Sequence, residues 1–210
     1  FYKRILFPNL GSYKWSSSET TLPANETKKE FDKKPVLERF DHQLKISGLK
    51  TFHTLKPDFS WGCSNIDKLI SKYNLSDYIL LFPFCSEHLQ QKKWPYYDQL
   101  IKLIKQNHPN LKIVIAPGPD EIEKAKKLDA VSILKEDKAI SISELAGLIK
   151  KSKFVVANDT GPAHMAAHLN VKGLSLFGSH TTAHKVSIER ENFKAIQVSD
   201  LKNLSAEKVF

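Results

Sequence analysis

The sequence predicts an α/β fold built on a Rossmann-like parallel sheet, and three observations carry that reading. From Tyr78 onward, short apolar runs alternate with stretches of helical spacing. The runs are strand-sized and rich in β-branched residues, as interior strands of parallel sheets are. One of them, Phe154-Val155-Val156-Ala157, passes through the polar Asn158-Asp159-Thr160 into Gly161-Pro162, a pair suited to opening a helix. Strands separated by helices of this length imply right-handed crossovers. Ligands of such sheets bind beyond the strands' carboxyl ends.

Taken in order, residues 1 to about 34 are weakly organised: Tyr2 to Pro8 reads as a strand, and the polar stretch from Ser16 to Lys34 as loop. From Pro35, the spacing of Val36, Leu37, Phe40, Leu44 and Ile46 is helical and ends at Gly48, a C-cap residue. The regular rhythm then gives strands at 78–84, 112–116, 131–134, 153–157 and 173–177. Between them it gives helices at 96–107, 119–129, 142–151 and 161–169. Ser205-Ala206-Glu207 reads as the start of one more helix. No internal repeat or low-complexity tract is evident.

The turn at 158–164 is the chemically informative stretch. With Gly161 near the N-cap and Pro162 at the first helical position, the N–H groups of Gly161, Ala163 and His164 are expected to be free. Together with the positive end of the helix dipole they suit an anion such as a phosphate. Gly161 lets that anion approach closely. Many α/β chains contain a similar turn with no ligand, so the turn alone does not decide. His164 and His168 share a helical face four residues apart, but without an acidic third ligand at recognised spacing they are weak grounds for zinc.

Composition bounds the partners. The 210 residues suffice for a core, and 41% hydrophobic with 26% charged residues is ordinary for a globular chain. The longest apolar run, Tyr78 to Phe84, is far short of the roughly 20 residues of a membrane span. Cys63 and Cys85 form neither a metal-ligand pattern nor a disulfide framework, so free thiols and a cytoplasmic setting are expected. A net charge of +9 favours an anionic partner. Neither a recognition helix nor interleaved aromatics points to nucleic acid. Lys28, Lys29, Lys33 and Lys34 suit either peripheral contact with an anionic inner-membrane surface or a solvated loop.

Asn158-Asp159-Thr160-Gly161-Pro162-Ala163-His164, followed by Ala166-Ala167 and Leu176-Phe177-Gly178, resembles the signature of glycosyltransferase family 9, which contains ADP-heptose:lipopolysaccharide heptosyltransferases. The resemblance implies a GT-B fold of two facing Rossmann-like domains. Residues 51–210 would be the C-terminal nucleotide-sugar-binding domain, and residues 1–50 the end of the acceptor domain with its linker. It also implies an inverting transfer of a sugar from a nucleoside-diphosphate donor, heptose and ADP in the best-known members, to a glycolipid acceptor. No metal or other cofactor is implied.

Carried over residue by residue, the resemblance assigns Lys92, two before Trp94-Pro95, and Ser86 to the donor diphosphate. Glu121, or its neighbour Asp120, would hold the nucleoside. Asp159 would hold the donor sugar, while Thr160, Gly161 and His164 would hold the diphosphate. A cation at Lys92 would offset charge on the leaving group. Each block has a plainer counterpart: Trp94 as a core anchor between solvated lysines, and Pro119-Asp120-Glu121 as an ordinary helix start. The chain departs from the family at Phe84, where glycine is common, in an 85–95 loop about two residues longer than the family register, and at Ser179 to His184, where a Trp-x-Pro-like segment is missing.

The general base is expected in the acceptor domain, and nothing before Pro35 matches that domain's glycine-rich start. The chain alone is therefore expected to bind donor and transfer nothing. The rival class is a non-catalytic nucleotide- or anion-binding module that keeps the half-fold, which the altered loops favour. A nucleotide-sugar epimerase ranks third.

Overall fold

A computed structural model describes residues 16, 17 and 19–210. The strand expected at Tyr2–Pro8 lies outside the described residues. The chain divides into two compact units, Phe1–Leu55 and Lys56–Phe210.

The first unit carries α1 (Lys28–Phe31) and α2 (Val36–Ile46). The helical turn α1 interrupts the stretch read as loop. A capping box forms it: the Thr27 side chain accepts from the Glu30 N–H, and the Glu30 carboxylate accepts from the Thr27 N–H at 2.9 Å. Phe31 is buried, with the His42 ring edge-on at 5.5 Å. Helix α2 follows the predicted apolar spacing but buries none of its residues fully, and Phe40 and Ile46 stay exposed.

The second unit is a six-stranded parallel sheet. Its elements run α3 (Asp67–Tyr73), β1 (Tyr78–Phe82), α4 (Tyr97–Asn107), β2 (Lys112–Ile115), α5 (Ile122–Ala125), β3 (Val131–Ser132), α6 (Ile142–Lys151), β4 (Phe154–Asn158), α7 (Gly161–His168), β5 (Gly173–Phe177), α8 (Ala183–Val186), β6 (Phe193–Gln197) and α9 (Ala206–Val209). The strand order is β3-β2-β1-β4-β5-β6. Order reverses between β1 and β4, which pair in register Ile79↔Phe154 to Phe82↔Ala157. A ligand crevice is expected beyond the carboxyl ends of those two strands.

The period of two along β1 sorts its side chains between two cores. Leu80 and Phe82 join Val114, Val155 and Ala157 under α6 and α7. Ile79 and Leu81 join Ile113, Ile115 and Val156 with Trp94 and residues of α4 and α9. Each fully buried leucine or isoleucine contributes about 2 kcal/mol, so these layers hold the strand ends in place. Gly147 on α6 is a close-approach site, since a Cβ there would sit 2.4 Å from the Ser64 carbonyl oxygen.

One expectation is corrected. The helix read at 119–129 is a 3₁₀ turn (Pro119–Glu121) followed by α5, which stops at Ala125. Lys126, Lys127 and Leu128 keep helical spacing, but the chain must turn there to enter β3. Helices α3 and α8, the edge strand β6 and the 3₁₀ turn at Ser60–Gly62 stand in stretches that carried no expectation. Among the described residues no helix is long and apolar enough to cross a membrane.

His168, at the end of α7, gives the fold a pH dependence. Burial lowers its pKa to about 4, helped by the charges of Arg190 and His164. An Arg190 Nη2 to His168 Nδ1 contact of 3.2 Å needs that nitrogen unprotonated. The unfolded chain takes up a proton between pH 6.5 and 4 that the folded chain refuses, so stability is full above 6.5 and falls as pH drops through that window. His168→Gln should remove about 2 kcal/mol of the loss between pH 7.5 and 4.5, read by urea unfolding at both pH values. An undiminished loss in the variant would contradict it.

Candidate functional site

Beyond the carboxyl ends of β1 and β4, a loop and a turn meet. The loop, residues 83–93, ends in a 3₁₀ segment (Glu87–Lys92) that carries Lys92. Asn158, fully buried at the end of β4, holds both ends of the loop. Its Oδ1 accepts from the Trp94 N–H at 3.1 Å, and its Nδ2 donates to the Phe84 carbonyl at 3.4 Å. Trp94 is itself buried, donating Nε1–H to the Leu204 carbonyl at 2.7 Å. The tryptophan is therefore a core anchor, and its anchoring delivers Lys92 to the turn.

Lys92 Nζ lies 2.7 Å from Asp159 Oδ2 and 3.4 Å from the Asp159 carbonyl oxygen. His180, in the loop after β5, places Nε2 3.0 Å from the same Oδ2. His164 Nε2 is 3.6 Å from Oδ1. The Asp159 side chain is 4% exposed. Burial alone would raise its pKa, but His164, Lys92 and His180 more than offset that and hold the carboxyl well below the usual carboxylate range. Asp159 is thus a fixed anion with cationic and N–H donors converging on it.

The adjoining turn differs from expectation in two respects. Thr160 is the N-cap, Gly161 the first helical residue and Pro162 the second. Ala163 and His164 donate their N–H groups to the Thr160 carbonyl, at 3.1 and 3.3 Å, and so are not free. Among the described residues Gly161 N–H has no protein partner. A Cβ on Gly161 would meet nothing within 4 Å. Packing therefore does not demand glycine there, whereas a ligand drawn close to the N–H would. Gly161→Ala is expected to leave the melting temperature unchanged or slightly higher while weakening anion binding about tenfold. Equal binding by wild type and variant in a calorimetric titration would contradict this.

A cavity of about 540 Å³ opens beside the turn. Thr160, Gly161 and Pro162 form one wall, Pro83, Phe84 and Ser86 another, and Ile115, Ile140 and Leu145 line its apolar part. Its size and lining, mostly apolar with a few polar groups, suit a small organic ligand. Glu121 lines it too, but the Gly118 N–H holds the Glu121 Oε2 at 2.8 Å. Asp120 lines only the neighbouring hollow, with Glu87, His88 and Lys124. The predicted residues thus fall into two groups. Lys92, Asp159 and His164 cluster, while Ser86, Glu121, Thr160 and Gly161 line the cavity.

Sequence reasoning singled out neither Asn158 nor His180 as a site residue. His180 sits in the 179–184 loop, where the chain departs from the family pattern, and only the strand order brings it to Asp159. Both cysteines are free. The rings of His164 and His168 are 6.3 Å apart. Among the described residues no group of three or more His, Cys, Asp or Glu side chains is placed to hold a metal ion.

Comparison with known proteins follows this geometry. A family model described as glycosyltransferase family 9 (heptosyltransferase) matches residues 11–208. Lipopolysaccharide heptosyltransferase 1 of Campylobacter coli is 29% identical over 114 residues, covering 50% of this chain and 33% of that protein. In structure the chain is similar to E. coli heptosyltransferase WaaC with ADP, with a TM-score of 0.60 and 22% identity over 82% of this chain and 53% of that one. A family 9 glycosyl transferase from Veillonella parvula gives 0.59 and 15%, over 92% and 54%. The chain therefore spans about half the length of the solved structures and a third of the curated relative.

Proposed function

The chain belongs to glycosyltransferase family 9, and on that premise we propose that it is the donor-binding part of an inverting glycosyltransferase that moves heptose from ADP-heptose to a lipopolysaccharide-core acceptor. The observation that carries this is the pairing of one cavity with one charged cluster at the β1/β4 crevice. The cavity takes the nucleoside among Phe84, Ile140 and Leu145, with Glu121 at the ribose. The Gly161 N–H, Thr160, Ser86, His164 and Lys92 take the diphosphate. Asp159, which as an anion repels phosphate, faces the sugar hydroxyls. Two structures of one relative support the nucleotide, since E. coli WaaC is described with ADP and with ADP-2-deoxy-2-fluoro heptose.

In the transfer, an acceptor oxygen attacks the anomeric carbon as the bond to the diphosphate oxygen breaks, and the electron pair leaves with ADP. Lys92 supplies positive charge where the leaving group gains negative charge. Acceptor activation needs a base, which we assign to an acceptor-side domain of which residues 1–50 are the end. No metal enters this scheme. Peripheral contact with an anionic membrane surface through the lysines around α1 belongs to the same proposal.

Calorimetric titration with ADP-heptose, ADP, UDP and GDP tests it. ADP-heptose should bind more tightly than ADP, and ADP more tightly than UDP or GDP. Binding without adenine preference, or no gain from the heptose, would contradict the reading. Heptose transfer by the 210 residues alone would contradict the placement of the base.

A further inference from the structure

Resting on the reading just given, we infer that His180 is a positioning residue: it holds the Asp159 carboxylate in place when the Lys92 ammonium leaves it for the donor diphosphate. In the free protein both groups bond the same oxygen, Asp159 Oδ2, Lys92 at 2.7 Å and His180 at 3.0 Å. They differ in mobility. The Lys92 side chain is 23% exposed, at the end of a 3₁₀ segment, on a long flexible stem. The His180 side chain is 8% exposed, with its ring stacked on Phe177 at 6.1 Å and 11°.

An arriving diphosphate competes with Asp159 for Lys92. Were Lys92 the only close partner, its departure would leave a buried carboxylate poorly compensated and would oppose donor binding. His180, still donating to Oδ2, lowers that penalty. Because the ionised carboxylate only accepts, His180 must donate from Nε2. Its Nδ1 is buried and has no partner among the described residues. A purely structural histidine normally has both nitrogens matched. Among the described residues the ring's one polar contact is Asp159, so packing fixes it for that contact. With Oδ2 held, the Asp159 carboxylate keeps its orientation toward the sugar whichever partner Lys92 has.

The test compares wild type, His180→Gln and His180→Leu by calorimetry with ADP and ADP-heptose, with thermal melts alongside. His180→Gln, whose amide N–H₂ can stand in for Nε2–H, should keep both affinities within about threefold. His180→Leu should lose about tenfold for ADP, whose diphosphate also draws Lys92 away, and up to about a hundredfold for ADP-heptose, which loses the held carboxylate as well. Unchanged binding by His180→Leu, or equal losses for both ligands, overturns the inference. A wild type that binds ADP-heptose no better than ADP overturns instead the assignment of Asp159 to the sugar. A second measurement needs no variant. In ¹⁵N-histidine spectra of the unaltered chain, the His180 Nε2–H resonance should persist when ADP is added. Its loss would overturn the inference even if His180→Leu fails to fold.

Discussion

Lys92→Ala is expected to weaken ADP binding by about 30- to 100-fold, the equivalent of one charge-assisted contact of 2–3 kcal/mol. Lys92 is the cation that the loop delivers to the crevice, and its charge is already in use, neutralised by Asp159 at 2.7 Å. The measured loss is therefore net of the ion pair that the free protein gives up. The same substitution should lower stability by about 1–3 kcal/mol, because Asp159 keeps only His180 and the more distant His164. Lys92→Arg should recover part of the affinity. Calorimetry and urea unfolding read both effects. Wild-type affinity in Lys92→Ala would place the diphosphate elsewhere.

Asp159→Ala should act in the opposite direction on the nucleotide. Removing the carboxylate frees Lys92 and removes an anion next to the phosphates, so ADP should bind at least as tightly as to wild type and up to about tenfold tighter. The preference for ADP-heptose over ADP should vanish, because the sugar loses its partner. Stability should fall by about 2–3 kcal/mol, since His180 is left buried with neither nitrogen paired. This opposed pair of variants separates the two roles. A loss of ADP binding in Asp159→Ala equal to that in Lys92→Ala would mean that the ion pair acts as one unit and that Asp159 does not face the sugar.

How much of this was legible in the sequence follows from burial. Strands such as Tyr78–Phe82 and Phe154–Asn158 are covered on both faces, so they appear as apolar runs and the parallel rhythm is plain. The edge strand Phe193–Gln197 buries only Phe193 fully, and its mixed composition hid it. Helix α3 is seven residues long with one buried side chain, too short for a periodic signal. In the site, the resemblance picked out Lys92 and Asp159 separately. Their contact spans 67 residues and exists only because β1 pairs with β4. His180 reaches Asp159 from 21 residues away, in a loop where this chain follows no family pattern. Asn158 reads as part of a motif, but its work of tying Phe84 to Trp94 shows only when the loop is folded. Of the three helix donors that the motif leaves open, the turn's own Thr160 carbonyl takes two, a closure visible only once the turn is folded.

The most direct test of the central claim, that the β1/β4 crevice binds a nucleoside diphosphate, is hydrogen–deuterium exchange of the chain with and without ADP. Protection should concentrate in 83–93, 116–121, 139–142 and 158–164, the segments that line the cavity and carry Lys92 and the Gly161 N–H. The exposed turn at 107–111, at the amino end of β2, should be unaffected. Protection that leaves 158–164 unchanged, or none at saturating ADP, would contradict the account.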